Sequence, residues 1–233
     1  MRTSGIPVLL GVVLLVLMAC GDSAEAGKQV PEPQPSTPSS ATAPVTPAPT
    51  RGSTTAAPRG AVLHQADWSA GLDGWSGSKD WTAVRGELLC AGQDFGLTAG
   101  AVAPVEIDSA KDFAVEAEIQ LLRYRITNGS FGVMARVQDD GTGYGAGHDE
   151  ADGVIVLRAE MGGGRPAMDS QPFTPGEGPH RYRLEVRGNE LRAFVDGTPV
   201  LSGTDNTFLI GKRVGLWSSG AQLSVRSFEV TEL

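Results

Sequence analysis

The chain is poor in the residues that most directly announce chemistry. It holds two cysteines and three histidines, and aromatic residues make up 6% of it. Basic residues are also the minority, with 19 Lys and Arg against 27 Asp and Glu and a formal charge of −8. That balance argues against nucleic acid as a partner, because such binding depends on clustered Lys and Arg. No heptads and no long stretches of 3.6-residue period occur, so a helical bundle is not expected. Long apolar runs are missing too, with one exception at the N-terminus.

That exception is Val8 to Met18, apolar apart from Gly11 and preceded by Arg2. It is shorter than the roughly 20 residues that span a bilayer and has the length of the apolar region of a signal peptide. It runs into Leu17-Met18-Ala19-Cys20-Gly21, which resembles a lipobox, where bacterial lipoproteins are acylated on cysteine and cleaved before it. Residues 1–19 are therefore expected to be a lipoprotein signal peptide. Cys20 becomes the lipidated N-terminus, and the partner is a membrane held through that lipid anchor, outside the cytoplasm. With Cys20 so used, Cys90 has no cysteine to pair with. In Gly86-Glu87-Leu88-Leu89-Cys90 it shares a strand face with Leu88 and is expected to be an inert core thiol.

Residues 20–60 are dominated by Pro, Ser, Thr and Ala. They cannot bury enough apolar surface to offset chain entropy, so a disordered, partly extended tether is expected. Past residue 60 the composition changes, and all four tryptophans and all seven phenylalanines lie there. Residues 61–233 suffice for one sizeable core. Period-two alternation marks strands. In Phe113 to Leu121 the odd-numbered residues are apolar and the acids face out. Phe131, Val133, Ala135 and Val137 form a core set, Ile155, Leu157 and Ala159 another, and Tyr182, Leu184 and Val186 a third. Gly188-Asn189 and Asp196-Gly197 are hairpin turns. Ten to twelve short strands without helices between them predict an all-β, two-sheet antiparallel sandwich of jelly-roll type.

Several residues in chain order carry a family likeness. They are Asp73-Gly74-Trp75, Trp81, Gly86-Glu87-Leu88, Ala135-Arg136, Gly143-Tyr144, His180 to Val186, Phe194-Val195-Asp196-Gly197 and Arg213 to Trp217. Together they resemble the concanavalin A-like lectin/glucanase jelly rolls, in particular the laminin-G-like and 3-keto-disaccharide hydrolase branches. The resemblance covers about residues 62–233. It implies two curved sheets with ligands met on the concave face or the rim loops.

Chemistry is less visible. Glucanases of this fold class set alternating carboxylates on one strand so that two acids flank one glycosidic bond. Glu106-Ile107-Asp108 begins that order, but Ser109, Ala110 and Lys111 follow. Glu116 and Glu118 lack a third acid. No catalytic set is assigned. The acid-rich stretch from Asp139 to Asp152 offers Asp139, Asp140, Asp149 and Asp152 as a candidate oxygen set for Ca²⁺. Sugar recognition needs aromatic platforms with a few polar groups, and Arg136, Tyr144, Arg158 and Trp217 are the concave-face candidates. The leading reading is a surface-anchored, non-catalytic module that binds carbohydrate, a glycan or another cell-envelope component. The alternatives are a hydrolase of the 3-keto-disaccharide type and a passive envelope or protein-interaction domain.

Overall fold

A computed structural model describes residues 60–93, 98–151, 154–158 and 167–233, with backbone only for 154–158. Cys20, Asp152 and all of the 20–60 tether except Gly60 lie outside the described residues, and so does Ala159. The described residues fall in the compact unit Ser53–Leu233. They form fifteen strands and no helix.

In chain order the strands are β1 (Val62–Gln65), β2 (Ser76–Gly77), β3 (Trp81–Val84), β4 (Glu87–Cys90) and β5 (Thr98–Glu106). Next come β6 (Phe113–Tyr124), β7 (Ser130–Val137), β8 (Tyr144–Asp149), β9 (Val154–Arg158) and β10 (Asp169–Pro172). The last five are β11 (His180–Arg187), β12 (Glu190–Val195), β13 (Thr198–Thr204), β14 (Arg213–Ser219) and β15 (Ala221–Glu232). Sheet A has the order β13-β12-β11-β6-β15-β4-β3, with β1 also paired to β15. Sheet B has the order β10-β9-β8-β7-β14-β5-β2. Every pairing is antiparallel, as the alternation and the short turns predict.

Alternation builds the core. On β6 the inward set is Phe113, Val115, Ala117 and Ile119, and on β11 it is Tyr182, Leu184 and Val186, all buried. Cys90 and Leu88 are buried together on β4, as their shared face requires. Sheet B answers with Phe131, Val133, Ala135, Tyr144, Val214 and Leu216. The two layers meet ring to ring where Phe131 packs edge-on to Tyr182, centroids 5.5 Å apart. Truncating such a buried Phe to Ala typically costs about 3–5 kcal/mol. Asp196-Gly197 closes the β12–β13 hairpin with φ of 51° and 78°, the two positive values a type I′ turn demands.

Three strands break the alternation. On β15 the buried set runs Leu223, Val225, Phe228, Val230, changing parity at the register shift between Val225 and Ser227. On β7, Val137 was expected beside Val133 and Ala135 in the core; instead it clusters with Met134 and Trp217 on the other face. The reason is Arg136, whose φ is +50°. A residue there acts as a bulge and turns everything beyond it to the opposite side. A matching irregularity lies on β5. Arg213 pairs with Glu106 while Gly215, two residues on, pairs with Val102. The surplus on β5 includes Pro104, which has no N–H to give a ladder and suits a bulge.

One buried polar group joins the sheets. His148, 4% exposed on β8, has Nε2 at 3.1 Å from the Phe173 carbonyl and Nδ1 at 2.5 Å from the Tyr124 hydroxyl. A carbonyl only accepts, so Nε2 carries the proton and Nδ1 accepts from Tyr124. Burial holds this imidazole below its ordinary value, against the opposing pull of Asp149 and Glu150. Between the depressed folded pKa and about 6.5, the unfolded chain binds more protons, so stability rises with pH through that window. The thermal midpoint of the full chain is expected to fall from pH 7.5 to pH 5. His148→Phe, which removes the titration, should show a smaller fall; an equal fall in both would show that His148 is not the group responsible.

Candidate functional site

The two outer faces of the sandwich differ in kind. Sheet A presents an ion-pair lattice. Arg183 reaches Glu116 at 3.6 Å and Glu185 at 3.0 Å, Arg181 reaches Glu118 at 3.4 Å, and Arg226 reaches Glu118 at 3.8 Å and Glu87 at 3.7 Å. Glu116 and Glu118 are thus engaged with arginines on a solvated face, and a recess of about 400 Å³ there is walled by Glu116, Glu118 and Arg181 together with Asp196.

Sheet B carries a cleft of about 490 Å³ at the end where β5, β7 and β14 meet. Its walls include Glu106, Gln138, Asp139, Ile210, Lys212 and Arg213 over the buried Val137. A smaller recess of about 250 Å³ continues from it, sharing Glu106 and Arg213 and adding Ser76, Val102 and Pro104. Arg213 donates to the Gln138 carbonyl and lies 3.2 Å from Asp139. Ile210, by contrast, is 76% exposed on the rim, an apolar surface standing in water beside hydrogen-bonding groups. Asp140 accepts from the Thr142 amide and hydroxyl, which hold its carboxyl below the usual range.

The cleft depends on a loop, residues 205–212, and two of the sequence candidates hold that loop from beneath. Tyr144 lies on the inner face of β8, 1% exposed. Its hydroxyl donates to Asp205 Oδ1 at 2.8 Å and accepts from the Phe208 amide at 3.1 Å. Burial, with Asp205 adding, pushes this phenol up to about 12. Arg136 is 2% exposed rather than open on a concave face. The bulge turns its guanidinium inward, where it donates to the carbonyls of Leu209 and Ser109 at 3.2 and 3.3 Å. Burial lowers its pKa. Both residues are anchors rather than ligand-facing groups.

Trp217 does lie on the outer face of sheet B, but it is 3% exposed. Its indole covers Gly132, whose register partner it is, and Nε1 points to Ser130 Oγ at 3.5 Å. Arg158 pairs with Gly145 at the end of β9; its side chain lies outside the described residues. Of the acids proposed for Ca²⁺, the three that are described do not converge. Asp139 and Asp140 follow β7, while Asp149 ends β8, six residues of strand or roughly 17–20 Å away. Among the described residues no three His, Cys, Asp or Glu side chains are grouped for a metal. The Glu106-Ile107-Asp108 order also fails as a carboxylate pair on one strand. β5 ends at Glu106, Ile107 is buried, and Asp108 caps the next turn through the Ala110 amide.

Ile210, Lys212 and Gln138 were not singled out from sequence, and Arg213 entered only through the family likeness. Ile210 carried a weak signal, being an apolar residue in the turn-rich stretch Asp205 to Lys212, but nothing in the spacing links that stretch to Gln138.

No family model and no curated protein matches the sequence. Solved structures do match. The carbohydrate-binding module CBM66 from Bacillus subtilis superposes with a TM-score of 0.52 at 15% identity, over 73% of this chain and 96% of that one. The VIP36 exoplasmic/lumenal domain in its Ca²⁺/Man3GlcNAc-bound form gives 0.56 at 9%, over 73% and 89%. The endo-β-1,3-glucanase from Pyrococcus furiosus gives 0.53 at 11%, over 73% and 94%. These are concanavalin A-like jelly rolls, and that is the fold of this chain.

Tyr144→Phe removes both hydroxyl bonds to the 205–208 turn. A loss of about 1–3 kcal/mol is expected, together with faster hydrogen exchange at the Phe208 amide. Unchanged exchange there would show that the loop is held by other contacts.

Proposed function

We propose that residues 61–233 form a carbohydrate-binding β-sandwich that captures its glycan in the cleft at the β5/β7/β14 end of sheet B, without hydrolysing it. The observation that carries this reading is the cleft's composition. An exposed apolar side chain, Ile210, stands beside charged and amide groups. A sugar asks for that mixture, an apolar ring face and a belt of hydroxyls. Two of its carboxylates are already engaged, Asp139 with Arg213 and Asp140 with Thr142. A glycosidic general acid needs a raised pKa, and Asp140 is shifted the other way. The structural neighbours point the same way, one being a carbohydrate-binding module and another a domain with bound Man3GlcNAc.

The lipobox motif at Cys20 supports display. We place the domain outside the cytoplasm, held to a membrane by lipid on Cys20 and set off from it by the 20–60 tether. Labelling cells with a fatty-acid analogue tests this: the wild-type chain should carry label and sediment with membranes, and Cys20→Ala should do neither.

On a glycan array the full chain is expected to bind a restricted set of saccharides without releasing products. Arg213→Ala and Ile210→Ser should each weaken binding about tenfold, or about 1.4 kcal/mol. Release of shorter sugars would move the protein to the hydrolases. Binding to none would leave the carbohydrate reading without support.

A further inference from the structure

The outer face of sheet B holds several glycines, and most have a structural reason. A Cβ on Gly132 would strike the Trp217 indole and the Ala146 carbonyl, one on Gly147 the Phe131 carbonyl, and one on Gly215 the Ala101 carbonyl. Gly100 differs. It sits inside β5 between Ala99 and Ala101, both in the core, and its φ is outside the left-handed region. Among the described residues nothing lies within 4 Å of the position its Cβ would take, and the residue is partly exposed. Neither its backbone nor the packing of the described residues asks for a glycine, and a strand interior is where glycine is unfavourable by about 0.5–1 kcal/mol relative to alanine. A strand-interior glycine marks a bulge, a tight bend or a close approach to the backbone, and the bulge of β5 lies between Val102 and Glu106 rather than at Gly100, which leaves close approach.

Its position says what that something is. Gly100 is the register partner of Trp217. The next outer-face residue along β5 is Val102, which lines the smaller recess with Ser76, Glu106 and Arg213. Glu106 and Arg213 also wall the main cleft. Cleft, recess and the open space over Gly100 therefore lie along one strand, spanning at most roughly 20 Å from Glu106 to Gly100, the length of several sugar rings.

We infer that Gly100 floors the far end of an extended binding track, so that the domain takes an internal stretch of a polymeric glycan rather than a terminal monosaccharide. This rests on the carbohydrate reading above and adds the size class of the ligand. Gly100 is left bare because the chain passes directly over the sheet there.

The test uses the full chain and defined β-1,3-gluco- and α-manno-oligosaccharides of one to eight residues, with binding measured by calorimetry. In the series that binds, affinity should rise at least tenfold from the disaccharide to the hexasaccharide. Gly100→Phe, which fills the space, should flatten that rise, and Gly100→Ala should flatten it less. Ser76→Phe, on the exposed neighbouring strand, narrows the track independently and should act in the same direction. It decides the matter if Gly100→Phe alters thermal unfolding. Affinity independent of length, or a hexasaccharide bound equally well by wild type, Gly100→Phe and Ser76→Phe, overturns the track while leaving the carbohydrate reading intact. Binding of neither series by the wild-type chain overturns the track together with the recognition of these two glycan classes.

Discussion

The cleft end of this sandwich depends on a mismatch of strand lengths around Val214. Between Arg213 and Gly215, β14 advances two residues, while β7 advances three, from Val137 to Met134, and β5 advances four, from Glu106 to Val102. Surplus chain on both neighbours cannot stay in the ladder. It must bulge, and bulges increase local twist and re-aim the side chains beyond them. Val214 remains in the core. Val137 is turned to the outer face, where it floors the cleft that Glu106 and Arg213 wall. A regular sheet of the same sequence would keep Val137 inward.

The mismatch is stabilised by what the bulge does with Arg136. A non-glycine residue at positive φ is uncommon and carries strain, here set beneath a candidate binding site. The inward guanidinium uses its planar fork to hold two carbonyls on separate segments, Ser109 after β5 and Leu209 before β14. A lysine offers a point charge on a flexible stem and could not brace both with the same geometry. The arrangement is not fully satisfied, since among the described residues the buried Nε of Arg136 has no hydrogen-bond partner. That penalty is tolerated because the segments it ties, with Tyr144 tying the same loop at Asp205 and Phe208, become the walls of the cleft.

How much of this was legible in the sequence follows from where the strands are regular. β6 and β11 pair with each other without a shift, and there simple alternation identified the buried residues and the outward acids. Hairpins written as Asp-Gly were legible because the turn itself demands unusual φ. Where a strand bulges, period two fails by construction. Val137 was misplaced for that reason, and Arg136 was assigned to an open face that the bulge turns it away from. Tyr144 was misjudged for a different reason: a tyrosine inside a strand can be a platform or a core residue with a satisfied hydroxyl, and only Asp205, 61 residues away, decides between them. The acid-rich stretch invited a metal because proximity in sequence suggested proximity in space, and β8 runs between its two ends. The cleft itself joins residues from three segments, Glu106, Val137 to Asp140 and Ile210 to Arg213, and no local pattern could have assembled it.

The contrast between the faces then explains why one sheet and not the other is suited to a ligand. On sheet A the side chains pair with each other across β6, β11 and β15. A ligand there must break ion pairs worth up to about 1 kcal/mol each in water. On sheet B the middle of the outer face between β5 and β7 is made of glycines and a few apolar side chains, with Thr98, Ser130 and Ser219 at one end and the charged groups of the cleft at the other. Such a surface lets a ring approach the backbone closely and meets hydroxyls where the arginine and carboxylates begin. The same bulges that displace Val137 from the core also mark the boundary between the apolar floor and the charged rim, so shape and polarity at this end of the molecule have one structural cause.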